Sequence, residues 1–421
     1  MSESLSQATV DELDPDSLTA LSAAWHSALE GELPRAVQLR RRLHAEPELS
    51  GQEQATAALV AAAICDGTDL GQECVASTGR LVRVGPADGP AIAVRAELDA
   101  LPLLERTGVN WAADNGAMHA CGHDVHLAAL VALARSAQMV RLPLGLLAVL
   151  QPREEAPPSG AADVVRSGRL AAHEVRAVIG AHLQPRVAAG AVTADPGPVN
   201  AAREEVRVVI TGRGGHSAYP HLAVDPVSAL CQAVLALQDT VRRTVDPMHP
   251  VVLSITQLSG ANAFNVIPDT ATATGTLRTM HRSDAEAMRR AMRETVAAIA
   301  AAHGCVGDVI TRECDPALVN DPALALSARR WLAGLDVQIA TPFASCGSDD
   351  FAWYGEAAPS LMMFVGTGDE DGASALHDPR FLPSAARVGA VARAMLAGYL
   401  AAAEQNLPAF ECSPSTLIGR K

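Results

Sequence analysis

Aromatic residues are scarce in this chain of 421 residues. Phe, Trp and Tyr together make up 3%, so it lacks the stacking platforms on which single-stranded nucleic acids are held. Positive charge is short as well. The 33 Lys and Arg stand against 47 Asp and Glu, and the resulting formal charge of −14 removes the basic footprint of a nucleic-acid binder. No apolar run approaches the length that spans a bilayer. The opening MSESLSQATVDELDPDS is polar and acidic, without the charged and apolar blocks of a secretory leader, so the expected location is the cytoplasm. The cysteines at 65, 74, 121, 231, 305, 314, 346 and 412 contain no CxxC pair, which argues against a disulfide framework and a zinc ribbon.

Apolar material is plentiful. Hydrophobic residues reach 49% and charged ones 19%, enough for a packed core, and the length favours two domains. In the first half, short apolar runs alternate with Ala-rich helical stretches: AIAVRAE (91–97), LGLLAVLQ (144–151) and AVIGAH (177–182), with a helix expected over 125–140. Near-continuous apolar runs fit parallel strands covered on both faces, hence an α/β architecture with a parallel-rich sheet flanked by helices.

After TADPGPVNAA (193–202) the rhythm becomes strand (205–212), helix (225–243), two strands, helix (283–303) and strand (306–314). That is the β-α-β-β-α-β order of ferredoxin-like units. A second Pro-rich joint, DPALVNDPAL, returns the chain to its first pattern, with a strand at 359–366 and a closing helix near 383–403. The expected division is a catalytic domain over 1–198 and 315–421, interrupted by an inserted lid or dimerisation domain over 199–314.

Chemistry concentrates where strands end. Glu97 and Asp99 follow one strand, Glu154 and Glu155 another, and His182 a third, while HACGHDVH (119–126) opens a helix. In open parallel sheets such ends converge on one binding edge. Each feature alone is ordinary, but together they point to a metal site. Cys121 and His123 suit a loop folded around an ion, and mixed S, N and O donors favour zinc, nickel, cobalt or manganese over calcium or magnesium.

RRRLHAEPELSGQE (40–53), RAELDALPLLERTG (95–108), HACGHDVH, QPREE, GAHLQP, GRGGHSAYPHLAVDP (212–226), NVIPDTATATGTLRT (265–279), GSDDFAWY (347–354) and LHDPRF (376–381) occur in order. The set resembles the di-metal amidohydrolases, a family of hippurate hydrolases, N-acyl-amino-acid deacylases and auxin-conjugate hydrolases with a metallopeptidase-like fold. The resemblance spans about residues 35 to 400.

It implies two divalent metal ions held by Cys121, His123, Glu155, His182 and His377, with the Cys121 thiolate shared between them and Asp99 supporting the ligands. It further implies Glu154 as general base, His216 as an oxyanion-stabilising histidine reaching across a homodimer, and Asn265 and Arg278 as binders of the substrate carboxylate. Glu97, Arg153 and Asp349 depart from the family's usual Asp, small residue and Glu. The expected reaction is cleavage of an N-acyl amino acid into a carboxylic acid and an amino acid. The rivals are a dipeptidase or carboxypeptidase of the same fold, and a non-catalytic binding protein stabilised by metal.

Overall fold

In the computed structural model, which describes residues 15–368 and 375–407, the apolar runs of the first half form the middle of a seven-stranded sheet. The opening segment 1–14 and Cys412 lie outside the described residues. The strand order across the sheet is Gln72–Val75, Gly79–Val84, Gly145–Gln151, Ala91–Glu97, Val175–Ala188, Ser360–Gly368 and Val192–Thr193. The four strands from Gly145–Gln151 to Ser360–Gly368 pair in parallel, and antiparallel strands finish both edges. Every residue of Ala91–Glu97 and Gly145–Gln151 is buried, as expected for strands covered on both faces.

The helix His123–Ala137 is buried on nearly all sides, which its run of Ala, Val and Leu permits. It packs with the helices Pro15–Ala45 and Ala386–Asn406. Trp25 joins the three: its indole N–H donates to Ser136 Oγ at 2.9 Å, and its ring meets Tyr399 edge-on at 4.9 Å. This unit comprises the chain up to Ala194, Pro322–Thr341 and the chain from Ala357.

The second unit is Asp195–Asp321 with Pro342–Glu356. Its antiparallel sheet runs Val251–Ser259, Thr270–Thr279, Ala202–Thr211, Val306–Asp315, joined by the helices Pro226–Thr244 and Arg282–Ala302 in β-α-β-β-α-β order. Strand Ala202–Thr211 buries Val206, Val208 and Ile210 on alternate residues. The helix Arg282–Ala302 answers with Met288, Met292, Val296 and Ala300 at one-turn spacing. Segment 342–356 joins this unit through backbone bonds, Ser345 N–H to Val199 O and Ala201 N–H to Gly347 O, both 3.0 Å.

Candidate metal centre

Three loops and one strand of the larger unit carry the proposed ligands. Cys121 and His123 flank Gly122, whose φ of +84° turns the chain into the helix. An L side chain resists that conformation, and a Cβ there would press on Leu183 Cδ1 at 2.6 Å. Glu154 and Glu155 follow the Gly145–Gln151 strand. Their loop is pinned by Gly160, whose N–H donates to Arg153 O at 3.1 Å and where a Cβ would collide with the Pro152 carbonyl. His377 holds a left-handed φ of +67°, and its N–H donates to Ala120 O at 2.9 Å, joining its loop to the Cys121 loop. His182 does not end its strand, which continues to Ala188.

Second partners fix which ring nitrogen each histidine presents. His123 Nδ1 lies 2.8 Å from the Asp99 carbonyl and His182 Nδ1 lies 2.7 Å from the Leu183 carbonyl, so both carry their proton there and leave an Nε2 lone pair. His182 Nε2 is 3.5 Å from Cys121 Sγ. Donor atoms of Cys121, His123 and Glu155 lie within 4.8 Å of one another, and His377 Nε2 is 3.4 Å from Glu155 Oε1. Glu154 Oε2 stands 3.9 Å from His123 Nε2. Asp99 Oδ2 accepts from Ser50 Oγ at 2.6 Å and from Glu155 N–H at 2.9 Å, so Asp99 steadies both His123 and Glu155.

His123 Nε2 is buried without a hydrogen-bond partner. A polar atom left so is costly unless something binds it, and a metal ion fits a set of thiol, imidazoles and carboxylate. The charges agree. Burial works against a proton on His123, but Glu97, Glu155 and Asp99 outweigh it and raise its pKa. Carboxylates that draw a proton to that nitrogen draw a divalent cation as well. Burial likewise opposes charge on Glu155, yet His377, His123 and the Cys121 thiol hold its carboxyl below the ordinary range.

His126 sits within this cluster but has no nitrogen to offer. Its Nε2 accepts from Leu183 N–H at 3.0 Å, so its Nδ1–H donates to Glu97 Oε2 at 2.9 Å. Glu97 is also paired with Arg95, whose Nε reaches Gln151 Oε1 at 2.8 Å. Despite complete burial, Arg95, His126 and His123 hold the Glu97 carboxyl well below the usual range. The sequence marks Glu97 as a strand-end carboxylate and as a departure from the family's usual Asp, but not as the partner of Arg95 and His126. His119 is buried too, and burial pushes its pKa down to about 3, leaving it neutral.

Asp124 faces a different group. It lies 3.0 Å from Arg40 Nε and from His44 Nδ1, while His44 Nε2 is 3.1 Å from Glu105. Burial opposes charge on His44, but hydrogen bonds and attraction from Asp124 and Glu105 prevail and lift its pKa from 6.5 to about 9. Because the folded value is the higher one, the stabilisation is complete below pH 6.5 and is lost as pH rises through about 9. Urea unfolding of wild type should therefore lose on the order of 3 kcal/mol more between pH 6 and pH 10 than unfolding of His44→Gln. Parallel pH profiles for the two proteins would contradict the coupling.

The remaining site residues lie in the smaller unit. His216 is exposed, pairs with Val266 in a two-residue ladder, and accepts from Ala218 N–H at 3.1 Å through Nδ1. Asn265 sits beside it, its carbonyl accepting from Ser217 N–H at 3.1 Å. Arg278 lies in the four-stranded sheet, not in this ladder, eight residues along its strand from Thr270, about 27 Å at strand rise. Its Nη1 donates to Cys346 O at 3.0 Å. The unit therefore brings His216 and Asn265 together and sets Arg278 apart.

Comparison with known proteins follows the same lines. Residues 93–399 match the model of peptidase family M20/M25/M40. The chain is 36% identical over 362 residues to an N-acetyl-L-cysteine deacetylase of Bacillus subtilis, covering 84% of each chain. It is 34% identical over 357 residues to the IAA-amino acid hydrolase ILR1-like 2 of Arabidopsis thaliana, covering 82% of this chain and 80% of the relative. Among solved structures, the YXEP protein of Bacillus subtilis, a dinuclear metal binding peptidase from the M20 family, matches with a TM-score of 0.78 and 30% identity. That match covers 90% of this chain and all of the other.

Proposed function

Because the chain belongs to the M20/M25/M40 peptidase family, we propose that it is a metal-dependent amidohydrolase that cleaves N-acyl amino acids to a carboxylic acid and a free amino acid. The observation that carries this reading is the pairing of neighbours at the centre. Glu155 stands among the ligand atoms, while Glu154, one residue earlier, points a carboxylate oxygen at the same region, 3.9 Å from His123 Nε2.

Two divalent ions held by Cys121, His123, Glu155, His182 and His377 would supply an acidified water and polarise the amide carbonyl. Donor chemistry favours zinc, manganese, cobalt or nickel. Glu154 takes a proton from the attacking water at a carboxylate oxygen and delivers it to the departing amine nitrogen. The Asp99 and Leu183 carbonyls keep His123 and His182 in the tautomer whose proton sits on Nδ1 and whose lone pair sits on Nε2. Arg278 grips the carboxylate of the substrate from one chain, Asn265 joins it from the other chain of a homodimer together with the neighbouring His216, and His216 donates to the oxyanion.

His216 pairs with Val266 ahead of Thr270, whereas Arg278 lies eight residues beyond Thr270, about 27 Å along the strand, more than a small N-acyl amino acid spans. This supports a homodimer in which the His216 loop serves a second copy. Phe264, Leu258, Val266, Tyr219 and Leu222 are exposed apolar residues of the smaller unit, and a second copy would cover such surface. The smaller unit then acts as lid and dimerisation domain, the larger as the catalytic one. No helix among the described residues is long and apolar enough to cross a membrane, and the seven cysteines described are all free thiols, which suits the cytoplasm.

The test is amino acid release from N-acyl amino acids and dipeptides by metal-stripped protein, before and after adding manganese, zinc, cobalt or nickel. Metal-restored release, with acyl amino acids turned over about tenfold or more faster than dipeptides, is expected. Faster dipeptides would assign a peptidase, and no release with any metal would overturn the reading.

A further inference from the structure

A second cluster of ligating side chains lies wholly within the smaller unit, away in sequence from every residue of the main centre. In the antiparallel ladder between Val251–Ser259 and Thr270–Thr279, the end rung pairs Val251 with Thr279. Continuing that register by two residues sets His249 opposite His281, and their rings do meet, with centroids 4.3 Å apart. The turn before His249 is fixed: Asp246 accepts from Met248 N–H through its side chain at 2.9 Å and from His249 N–H through its carbonyl at 2.8 Å.

His281 is the residue preceding the helix Arg282–Ala302, in extended backbone with φ −122° and ψ 136°. Its carbonyl accepts from Asp284 N–H at 3.1 Å and Ala285 N–H at 3.2 Å, and its side chain makes no capping bond. That first turn brings the Asp284 carboxylate back over the pair, with Oδ2 2.9 Å from His249 Nδ1.

We propose that His249, His281 and Asp284 form a separate binding site for a zinc ion, with one nitrogen from each imidazole, one carboxylate oxygen and a water in the fourth position. One ligand atom from each residue lies within 4.8 Å of the others. Tetrahedral zinc with bonds of about 2.0 to 2.1 Å spaces its ligands about 3.3 Å apart, a spacing of the same order as that of these donor atoms. Two imidazoles with one carboxylate are a borderline N and O set, suited to zinc rather than to calcium or magnesium. His249 and His281 are half-buried while Asp284 is largely buried, so the histidine side leaves an entry path from solvent. The positive end of the helix dipole opposes a cation here, and the charge of Asp284 in the first turn offsets it. A zinc ion there would tie the loop before one strand to the helix after the next.

The test counts zinc on full-length protein by equilibrium dialysis against micromolar free Zn2+, followed by mass spectrometry of the metal. Wild type should hold one zinc per chain more than His249→Ala or His281→Gln, and Asp284→Asn should bind that extra ion about tenfold or more weakly. Circular dichroism checks that the variants are folded, and two substitutions on different elements guard against the loss of one to misfolding. Equal zinc counts in wild type and both histidine variants would overturn the site. This count reads the second cluster whether or not the chain hydrolyses any substrate.

Discussion

Glu154→Gln is expected to lower kcat for the best N-acyl amino acid by about 1,000-fold, within the range of positioned acid–base groups, while KM and metal content stay near wild type. Glutamine keeps the shape and the hydrogen-bonding capacity of the side chain but cannot take a proton from water at neutral pH. Position supports the role. The side chain is mostly buried, at 12% exposure, with Oε2 3.9 Å from His123 Nε2. The neighbouring Glu155→Gln should behave differently. That carboxylate lies with Cys121 and His123 among the candidate ligand atoms, so its loss should release metal first and activity in consequence. Steady-state kinetics with metal analysis on both variants separates the roles, and wild-type turnover by Glu154→Gln would end the proposed mechanism.

The parts of this arrangement that were legible in the sequence are those written in local pattern. Apolar runs such as AIAVRAE and LGLLAVLQ mark fully buried strands, and the change of rhythm after TADPGPVNAA marks the strand and helix order of the smaller unit. Polar residues placed just after strands marked the candidate centre. What escaped depends on long-range contact. Strands Gln72–Val75 and Gly79–Val84 carry no continuous apolar run, and they are strands because the edge of the sheet pairs them. The helix Pro15–Ala45 contains Pro34, a breaker by propensity, and is held by buried Leu18, Trp25, Leu29 and Leu43. Segment 342–356 reads as part of the larger domain by its position in the chain. Its partners are Asp195, Val199 and Ala201, on the far side of the insertion: Phe343 N–H donates to Asp195 Oδ2 at 3.0 Å.

The site shows the same split. Residue types and spacing nominated Cys121, His123 and Glu155, which the structure gathers. Nothing in the sequence could say that His126 is spent on Leu183 N–H and Glu97, because that follows from a tautomer set by a backbone amide 57 residues away. The extra methylene of Glu97 thus has a concrete consequence: its carboxylate reaches both Arg95 and His126 in a fully buried setting.

Cys121→Ala is expected to cost at least about 100-fold in metal affinity and to abolish turnover at ordinary metal concentrations, since even indirect partners of a metal ligand are worth 10- to 100-fold. The thiol is placed for a shared role: it is nearly buried, at 6% exposure, 3.5 Å from His182 Nε2 and within 4.8 Å of donor atoms on His123 and Glu155. Serine in its place would preserve volume but not an anion, because an alcohol gives up its proton far less readily than a thiol. Cys121→Ser should therefore bind metal almost as poorly as Cys121→Ala. Bound metal also stabilises the folded chain by mass action, so adding metal should raise the melting temperature of wild type and of Glu154→Gln by clearly more than that of Cys121→Ala, which keeps only the separate His249, His281 and Asp284 cluster. Full metal retention by Cys121→Ala would remove the bridging role. The combined pattern, metal kept and turnover lost at position 154, metal and turnover lost together at 121, belongs to a hydrolytic centre. A metal that only braced a binding protein would leave position 154 without effect, since bracing needs no carboxylate beyond the ligands.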